Sequence, residues 1–336
     1  MDSSAVNPHD PGVEVAAAVA AGVPSESAAV PISVPGGGEI RVGTASWTDP
    51  TMTARGVFYP AGVSTAEDRL RYYSSQFSLV EVDSTYYALL PRATAEAWVE
   101  RTPPGFVFDV KAHALMGGQP SEVKRLPKAL RDALPSALAD KTRVYAKDLP
   151  AEIRDEVWEL FREGIRPLRD AGRLGAVFLQ FPRWVYPSSQ CREEILDARR
   201  RLAGIEVAVE FRNGSWFNEK NAELTLRFLG DNGIPYVMVD GPQGLRSSIP
   251  PLAAVTSPEL AIIRFHGRRV ETWEKAGIPV VERFRYLYDD DQLADWVPRL
   301  RSAAKQARQT HALMNNCFGN YGSTNALQLA DLLRNA

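Results

Sequence analysis

Eight short apolar segments recur along this chain, and charged, helix-like segments separate most of them. The apolar segments are rich in β-branched residues and have the length of buried strands. They span residues 41–46, 79–85, 106–111, 175–181, 206–211, 236–240, 261–266 and 312–315. Regular alternation of strands and helices favours an α/β fold, and eight strands in about 300 residues favour a TIM-type (β/α)8 barrel over a doubly wound open sheet.

The segments between the strands predict helices and two insertions. Helix-like patterns cover residues 65–76, 94–101, 152–171, 192–202, 219–231, 291–309 and 324–334. Two stretches exceed what a short connection needs, and we interpret them as insertions. One follows strand three, at residues 115–150, and the other is the proline-rich stretch 241–258 after strand six.

The first 38 residues differ in amino-acid composition from the rest of the chain. They are rich in Ala, Val, Ser, Pro and Gly and contain no aromatic residue. Glu14 interrupts their apolar part and no basic leader precedes it, so a signal peptide is not expected. We predict a disordered N-terminal extension over residues 1–38, because it has too little apolar surface to offset the entropy of ordering. The barrel domain is then residues 39–336.

Charge and cysteine content exclude several classes of protein. The 39 basic and 41 acidic residues give a net charge of -2, which argues against a surface dedicated to nucleic acid. The two cysteines, Cys191 and Cys317, exclude a disulfide framework and a zinc ribbon, although the reactivity of Cys317 stays open. No apolar run approaches the ~18 residues that span a bilayer. A cytoplasmic protein without a membrane partner is expected, and its oligomeric state is left open.

Polar and apolar side chains alternate within the predicted strands. In a barrel the outer face of each strand packs under helices, so the polar alternates should point into the lumen, near the strand ends. The residues assigned to the lumen are Glu81, Asp83, Asp109, Lys111, Gln180, Glu210, Arg212, Asp240, Arg264, His266 and Asn315. Unpaired buried charges are costly, so this set indicates a functional site, although buried ion pairs also occur as structural plugs.

Four of these residues are the predicted catalytic groups. Glu81 and His266 are assigned to proton transfer, with Asp83 as an acid–base neighbour of Glu81, and Lys111 and Glu210 complete the set. Lys111 is interpreted as a cation for a ligand oxygen, with a Schiff base as the alternative. Its acidic neighbours are expected to raise its pKa.

The predicted binding groups are mainly cations and amides, and Asp83, Thr85, Tyr86 and Gln180 are also assigned to substrate binding. Lys111, Arg212, Arg264 and Arg268 are assigned to an anion, and Asn315 or Asn316 to orienting the substrate. Phosphate sites in barrels often lie beside strands seven and eight, where Arg268 is found. Four tryptophans follow strand ends and are interpreted as stacking groups or as hydrophobic caps; they are Trp47, Trp184, Trp216 and Trp273.

Seven ordered motifs carry a resemblance to a known family. They read VGTASW, LVEVDSTYY, GFVFDVKA, VFLQFP, VAVEFRNGSWF, IRFHGR and MNNC. In this order they resemble the YecE-like family, domain of unknown function 72, from about residue 40 to the C-terminus. The resemblance implies a TIM-type barrel and no established reaction. Its motif positions here are Glu81, Thr85, Tyr86, Lys111, Gln180, Glu210, Arg212, His266, Arg268 and Asn316. Asp83 and Cys317 depart from the pattern, since many relatives have Asn and His there.

Three functions are compatible with these observations. The first is an enzyme of unassigned class (lyase, isomerase or hydrolase) that binds a small anionic or phosphorylated ligand at the C-terminal mouth of the barrel. The second is a metal-assisted phosphodiesterase or nucleic-acid-binding protein, and the third is a ligand-binding module without catalysis. No cofactor is predicted. A divalent metal on Glu81, Glu210, Asp240 and His266 is possible by residue type, but the flanking arginines would repel it.

Overall fold

The β-branched segments form the strands of a parallel β-barrel in the computed structural model, which describes residues 6–24 and 27–336. Numbered in chain order, the barrel strands are β2 (Glu39–Ala45), β3 (Leu79–Val82), β4 (Val107–Lys111), β7 (Leu174–Phe181), β8 (Val207–Phe211), β9 (Val237–Asp240), β10 (Leu260–Phe265) and β11 (Gln309–Met314). They are ordered β8-β7-β4-β3-β2-β11-β10-β9. A parallel bridge between Val209 and Tyr236 brings the two edges together. The predicted TIM-type barrel is confirmed.

Helices pack around most of the barrel. Those flanking the strands are α2 (Ala66–Gln76), α3 (Arg92–Glu100), α6 (Ala151–Asp170), α7 (Ser189–Arg201), α8 (Ala222–Asp231), α11 (Asp290–Ala294), α12 (Val297–Ala304) and α13 (Tyr321–Asn335). The helix predicted over 291–309 is wrong at its end, because Gln309 already pairs with Leu260 in the sheet. It is also divided in two, and a proline occupies the first turn of α12, where the missing N–H costs no hydrogen bond.

The two insertions have different structures. After β4 the chain forms a small hairpin from β5 (Ser121–Glu122) and β6 (Arg143–Val144), with short helices α4 (Lys128–Asp132) and α5 (Ser136–Ala139) between them. After β9, residues 241–259 contain no helix within the described chain, so this stretch replaces a barrel helix. Its prolines disfavour a helix, and buried Ile249 packs there as part of the core instead.

The N-terminal extension is more ordered than predicted. Helix α1 (Pro11–Ala21) buries Val13 and Ala16 against Phe318 and Tyr321 near the start of α13. Strand β1 (Ile32–Ser33) pairs antiparallel with β2. The prediction of disorder is therefore wrong for the described part of the extension, while residues 1–5 and 25–26 lie outside the described residues. The composition argument failed because the apolar surface that orders the segment belongs mostly to the barrel.

Below its C-terminal mouth, the lumen contains an apolar layer and one buried polar pair. An apolar layer is formed by Leu79, Val107, Ala176, Phe178, Ala208, Val237, Leu260, Ile262 and Leu313. Within it, His311 Nδ1 contacts Asp109 Oδ2 at 2.9 Å, and both side chains are fully buried. Gly175 makes room for this pair, since a Cβ at that position would lie 2.9 Å from His311 Cε1. Asp109 is thus in the lumen as predicted, but at a depth where a ligand at the mouth would not reach it.

Among the described residues, no helix combines the length and the apolar composition that crossing a bilayer requires.

Candidate functional site

A cavity of about 670 Å³ opens at the C-terminal ends of the barrel strands, and we call it the mouth cavity. Its floor is formed by side chains at or just after the C-terminal ends of β2, β3, β4, β7, β8, β10 and β11. These are Ala45, Asp83, Lys111, Gln180, Arg212, Arg264, Asn315 and Cys317. One wall comes from the segment after β10, through Trp273, Glu274, Arg283 and Phe284. Strand ends and following loops are where TIM barrels place their chemistry.

Four charged side chains under and along the floor form an ionic layer, which consists of Glu81, Glu210, Arg212 and Arg264. Arg264 Nε donates to Glu81 Oε2 at 2.8 Å and Arg264 Nη2 donates to Glu81 Oε1 at 2.7 Å. The remaining nitrogen of Arg264 contacts Glu210, which also pairs with Arg212. The carboxylates of Glu81 and Glu210 have no exposed surface and lie beneath the floor, whereas the guanidinium groups of Arg212 and Arg264 line the cavity.

These ion pairs fix the charge of the layer. The bidentate contact to Glu81 and the contact to Glu210 raise the pKa of Arg264, although burial opposes this shift. Burial also acts to raise the pKa of Glu210, but Arg212 and Arg264 hold it well below its usual range. A bidentate pair in a low-dielectric lumen is rigid and directional. The layer is therefore a fixed array of charges on which a ligand can be oriented.

His266 is a buried part of this structure and does not line the cavity. Its Nδ1 lies 2.7 Å from the side-chain nitrogen of Asn315, and its Nε2 lies 3.3 Å from Glu210 Oε1. Burial and the nearby Arg212 lower the pKa of His266 to about 3, so the ring is neutral at physiological pH. With Asn315 as donor to Nδ1, the remaining proton is on Nε2 and faces Glu210. His266 thus holds Asn315 and Glu210 in position.

Unlike the two arginines of the ionic layer, Lys111 is not paired with a carboxylate in the described part of the chain. Its Nζ lies 4.7 Å from the ring centroid of Tyr86, and in the described part of the chain no carboxylate oxygen lies within 4.0 Å of it. Burial, together with the positive charge of Arg264, lowers the pKa of Lys111 to about 8. The expected rise of this pKa is therefore wrong, because desolvation and like charge outweigh the attraction of Glu81 and Glu210.

Asp83 and Cys317 both line the mouth cavity. Burial raises the pKa of Asp83; Lys111 opposes this shift and Asp49 adds to it. Burial and the negative charge of Asp49 raise the pKa of Cys317 well above its ordinary value, so its thiol is protonated. Its Sγ lies 3.2 Å from the carbonyl oxygen of Ala45. A protonated thiol is a weak nucleophile, so Cys317 acts as a neutral part of the floor.

Tyr86 and Gln180 belong to a polar side wall completed by a residue that sequence analysis did not identify. Tyr86 Oη donates to Gln119 Oε1 at 2.6 Å, and Gln119 Nε2 donates to the carbonyl oxygen of Gln180 at 3.1 Å. Gln119 comes from the insertion after β4. No local pattern marks it, because its role depends on how the insertion folds back over the mouth.

Several predicted site residues lie away from the mouth cavity. Thr85 donates to the carbonyl oxygen of Lys111 at 2.5 Å and supports the backbone there. Asn316 donates to the carbonyl oxygen of Tyr286 and to the side chain of Asn325. Both side chains are buried and hydrogen-bonded to protein groups, and neither lines the mouth cavity.

Asp240 and Arg268 form a separate cluster outside the barrel. Arg268 makes a bidentate ion pair with Asp240 at 2.9 and 2.7 Å, and Asp240 also accepts from Tyr288 Oη at 2.8 Å and Trp296 Nε1 at 2.7 Å. The assignment of Asp240 to the lumen is wrong, because on β9 it is Val237 that faces the lumen and Asp240 faces the helical layer. Arg268 is correspondingly held away from the cavity.

The carboxylates proposed as metal ligands do not assemble. Glu81 and Glu210 are paired with arginines, and Asp240 faces the other side of its strand. Across residues 6–24 and 27–336, no three His, Cys, Asp or Glu side chains are grouped in a way that could hold a metal ion. Bound guanidinium groups occupy the oxygens that a cation would need.

The tryptophans divide between core and cavity. Trp47 and Trp216 are buried, and Trp47 packs edge-on against Trp98. Trp184 and Trp273 line the mouth cavity, with Arg212 5.3 Å from the ring centroid of Trp273. The wall segment after β10 could have been suspected from the long stretch between strand seven and the next predicted helix.

Comparisons with known proteins cover almost the whole barrel. The family model described as "Protein of unknown function DUF72" matches residues 41–336. The UPF0759 protein YunF of Bacillus subtilis (strain 168) is 29% identical over 301 residues, which are 88% of this chain and 94% of that protein. A DUF72 family protein of Thermotoga maritima MSB8 has a solved structure with a TM-score of 0.67 and 28% identity, covering 88% of this chain and 98% of that one. A DUF72 family protein of Enterococcus faecalis V583 is similar, with a TM-score of 0.67, 25% identity, and coverage of 88% and 97%.

Proposed function

The chain belongs to the DUF72 family, and on that premise we propose that its barrel is an enzyme that binds a small anionic molecule in the mouth cavity. The observation that carries this proposal is the excess of positively charged over negatively charged side chains at the surface of the cavity. Five cationic side chains line it, namely Lys111, Arg183, Arg212, Arg264 and Arg283, and three carboxylates do, namely Asp49, Asp83 and Glu274. The two carboxylates that neutralise the ionic layer, Glu81 and Glu210, lie beneath the surface.

Arg212 and Arg264 are suited to recognising a carboxylate or a phosphate. A guanidinium presents several N–H donors in a plane, which matches the geometry of both anions. Here the two guanidinium groups are fixed in advance by Glu81 and Glu210, and Arg212 also lies over Trp273. A ligand therefore meets donors that need little ordering, which lowers the entropic cost of binding.

The acid–base groups that we propose for the site differ from those predicted from the sequence. Glu81 and His266 were assigned to proton transfer, but neither has exposed surface or lines the cavity. Asp83 does line the cavity, and its raised pKa suits a carboxyl group that gives and takes a proton. We assign proton transfer to Asp83 and a positioning role to Glu81 and His266.

Ligand-dependent thermal unfolding tests this proposal. Purified protein is screened with inorganic phosphate, oxalate and phosphorylated three- to six-carbon sugars, with sodium chloride matched for ionic strength. Binding to the native state raises stability by about 2.7 kcal/mol at a ligand concentration of about one hundred times Kd, so a real ligand gives a shift that grows with concentration.

Two cavity variants and one surface variant make the test specific. Arg212→Met and Arg183→Met remove cationic groups from the cavity, and Arg308→Met removes an exposed arginine that pairs with Glu259 on the surface. The stabilisation by the anion should fall in both cavity variants and persist in the surface variant. If no anion stabilises the wild-type protein beyond the salt control, or if Arg308→Met abolishes the effect equally, the proposal is wrong.

A further inference from the structure

We propose that Lys111 is an imine-forming residue and that the ligands of the mouth cavity are anionic carbonyl compounds, such as 2-oxo acids or phosphorylated aldehydes. This inference rests on the proposed function, since it uses the same cavity and the same arginines for the anionic group. It adds a covalent step and a substrate class.

The first argument is the position of the Lys111 side chain among the cations of the floor. Arg264 and Arg212 are both held by buried carboxylates. Lys111 also lines the cavity, but in residues 6–24 and 27–336 its Nζ has no carboxylate oxygen within 4.0 Å and no hydrogen-bond acceptor. A lysine whose function is only to balance charge would be expected to contact one of the nearby carboxylates. This amine instead lies against the ring of Tyr86 at the surface of the cavity.

The second argument is the environment of that amine. Imine formation needs the neutral amine, because the ammonium has no lone pair. Burial and the positive charges of Arg264 and Arg212 bring the pKa of Lys111 down to about 8. A considerable fraction of the side chain is then neutral near physiological pH, whereas an ordinary lysine is almost fully protonated. The ring of Tyr86, 4.7 Å from Nζ, keeps the amine against the wall and facing the cavity.

The third argument is that the groups needed for the step line the same cavity. The lone pair of Lys111 Nζ attacks the carbonyl carbon, so that a C–N bond forms as the C=O π bond breaks, and one proton then passes from the nitrogen to the oxygen to give a neutral carbinolamine. The C–O bond then breaks, the hydroxyl leaves as water after accepting a proton, and the nitrogen retains the new double bond as a protonated imine. Asp83 lines the cavity with a raised pKa, so its carboxyl group can supply the proton to the leaving hydroxyl.

The anionic group of the ligand accounts for the guanidinium groups that line the same cavity as the amine. Arg212 and Arg264 would hold the carboxylate or phosphate of the ligand and so orient its carbonyl carbon toward Nζ. Once formed, the imine withdraws electrons from the adjacent carbon, which makes removal of a proton or cleavage of a carbon–carbon bond at that position easier. This accounts for both lyase and isomerase chemistry without a bound cofactor in the step.

Reductive trapping tests the inference directly. The full-length protein is incubated near pH 8 with glyoxylate and sodium cyanoborohydride, and adducts are located by peptide mass spectrometry. We expect Lys111 to be labelled roughly tenfold faster, or more, than the exposed lysines Lys124 and Lys128, because its amine lines the cavity whose arginines bind glyoxylate and its lowered pKa leaves more of it neutral. Propionaldehyde, which lacks the anionic group, should label Lys111 with much less selectivity.

Variants separate this inference from the proposed function. Lys111→Arg keeps the positive charge and removes the nucleophile, so it should lose preferential labelling and still be stabilised by inorganic phosphate. Arg183→Met should slow labelling of Lys111 by glyoxylate and leave labelling by propionaldehyde unchanged. If a variant does not fold, the labelling of Lys111 compared with that of Lys124 and Lys128 in the wild-type protein still tests the inference.

Two outcomes would overturn the inference in different ways. If phosphate stabilises the wild-type protein but glyoxylate labels Lys111 no faster than surface lysines, the imine is wrong and the cavity binds anions without covalent chemistry. If neither stabilisation nor selective labelling occurs, both the imine and the proposed function are wrong.

Discussion

The substitution Lys111→Met should stabilise the folded protein at neutral pH, although it removes a residue of the candidate site. The pKa of Lys111 is lowered from 10.5 to about 8 by burial and by the charge of Arg264. At about pH 7 the side chain is mostly protonated in the folded state and almost fully protonated in the unfolded state, so folding includes most of the cost of placing this charge in the cavity. The lowering of the pKa from 10.5 to about 8 corresponds to a cost of roughly 3 kcal/mol in the free energy of folding. Methionine has a similar volume and no charge, so it avoids this cost.

The pH dependence gives the sign of the effect. Between about pH 8 and about pH 10.5 the unfolded state binds the proton and the folded state has lost it, so the wild-type protein gains stability as the pH rises. Above this window both states are neutral at this position. The advantage of Lys111→Met should therefore be largest below about pH 8 and should vanish toward about pH 10.5.

Urea unfolding of both proteins at a series of pH values measures the difference in free energy of unfolding. Other groups that titrate in this range are common to both proteins and cancel in the difference. Lys141→Met, at an exposed position, is the matched control and should change stability little at any pH. A Lys111→Met protein that is less stable than the wild type at about pH 7, or a difference that does not change with pH, would refute the reasoning.

Three further substitutions test the structure around the site, each by urea unfolding. Asp240→Asn breaks the bidentate pair with Arg268 and weakens two further hydrogen bonds, so we expect a loss of roughly 3 kcal/mol; a neutral effect would mean that this cluster is not formed. Gly175→Ala places a methyl group against Asp109 and should cost roughly 1–3 kcal/mol, and an unchanged midpoint would contradict the close approach. Val13→Asp puts a charge into the contact of α1 with the barrel and should lower stability by at least about 1 kcal/mol; wild-type stability would show that α1 contributes nothing.

The alternation of polar and apolar residues was sufficient to predict which side chains enter the lumen for most strands. Glu81, Lys111, Glu210 and His266 do converge at one end of the barrel. The alternation gives the face of a strand but not the depth of a residue along the lumen. For this reason it could not distinguish Lys111, which reaches the cavity, from Glu81 and His266, which lie beneath it.

Asp240 shows where the same reasoning breaks down. Its strand reads Val-Met-Val-Asp, with apolar residues at both phases, so the sequence contains no signal for the face of the final residue. The partners that decide it, Arg268, Tyr288 and Trp296, are 28, 48 and 56 residues further along the chain. Helix α1 is a similar case, because the apolar surface it needs is on Phe318 and Tyr321.

By itself, the sequence determined the (β/α)8 architecture and, apart from Asp240, the set of charged residues that share the lumen, because strand period and helix period are local properties of the chain. Only the tertiary structure decided which of those charges neutralise one another and which face the cavity. That choice depends on distances between strands far apart in sequence, and on the desolvation that lowers the pKa of Lys111. The electrostatic energy of a charged side chain in the lumen depends on how deeply it is buried and on the charges beside it. The sequence of a single strand determines neither of these.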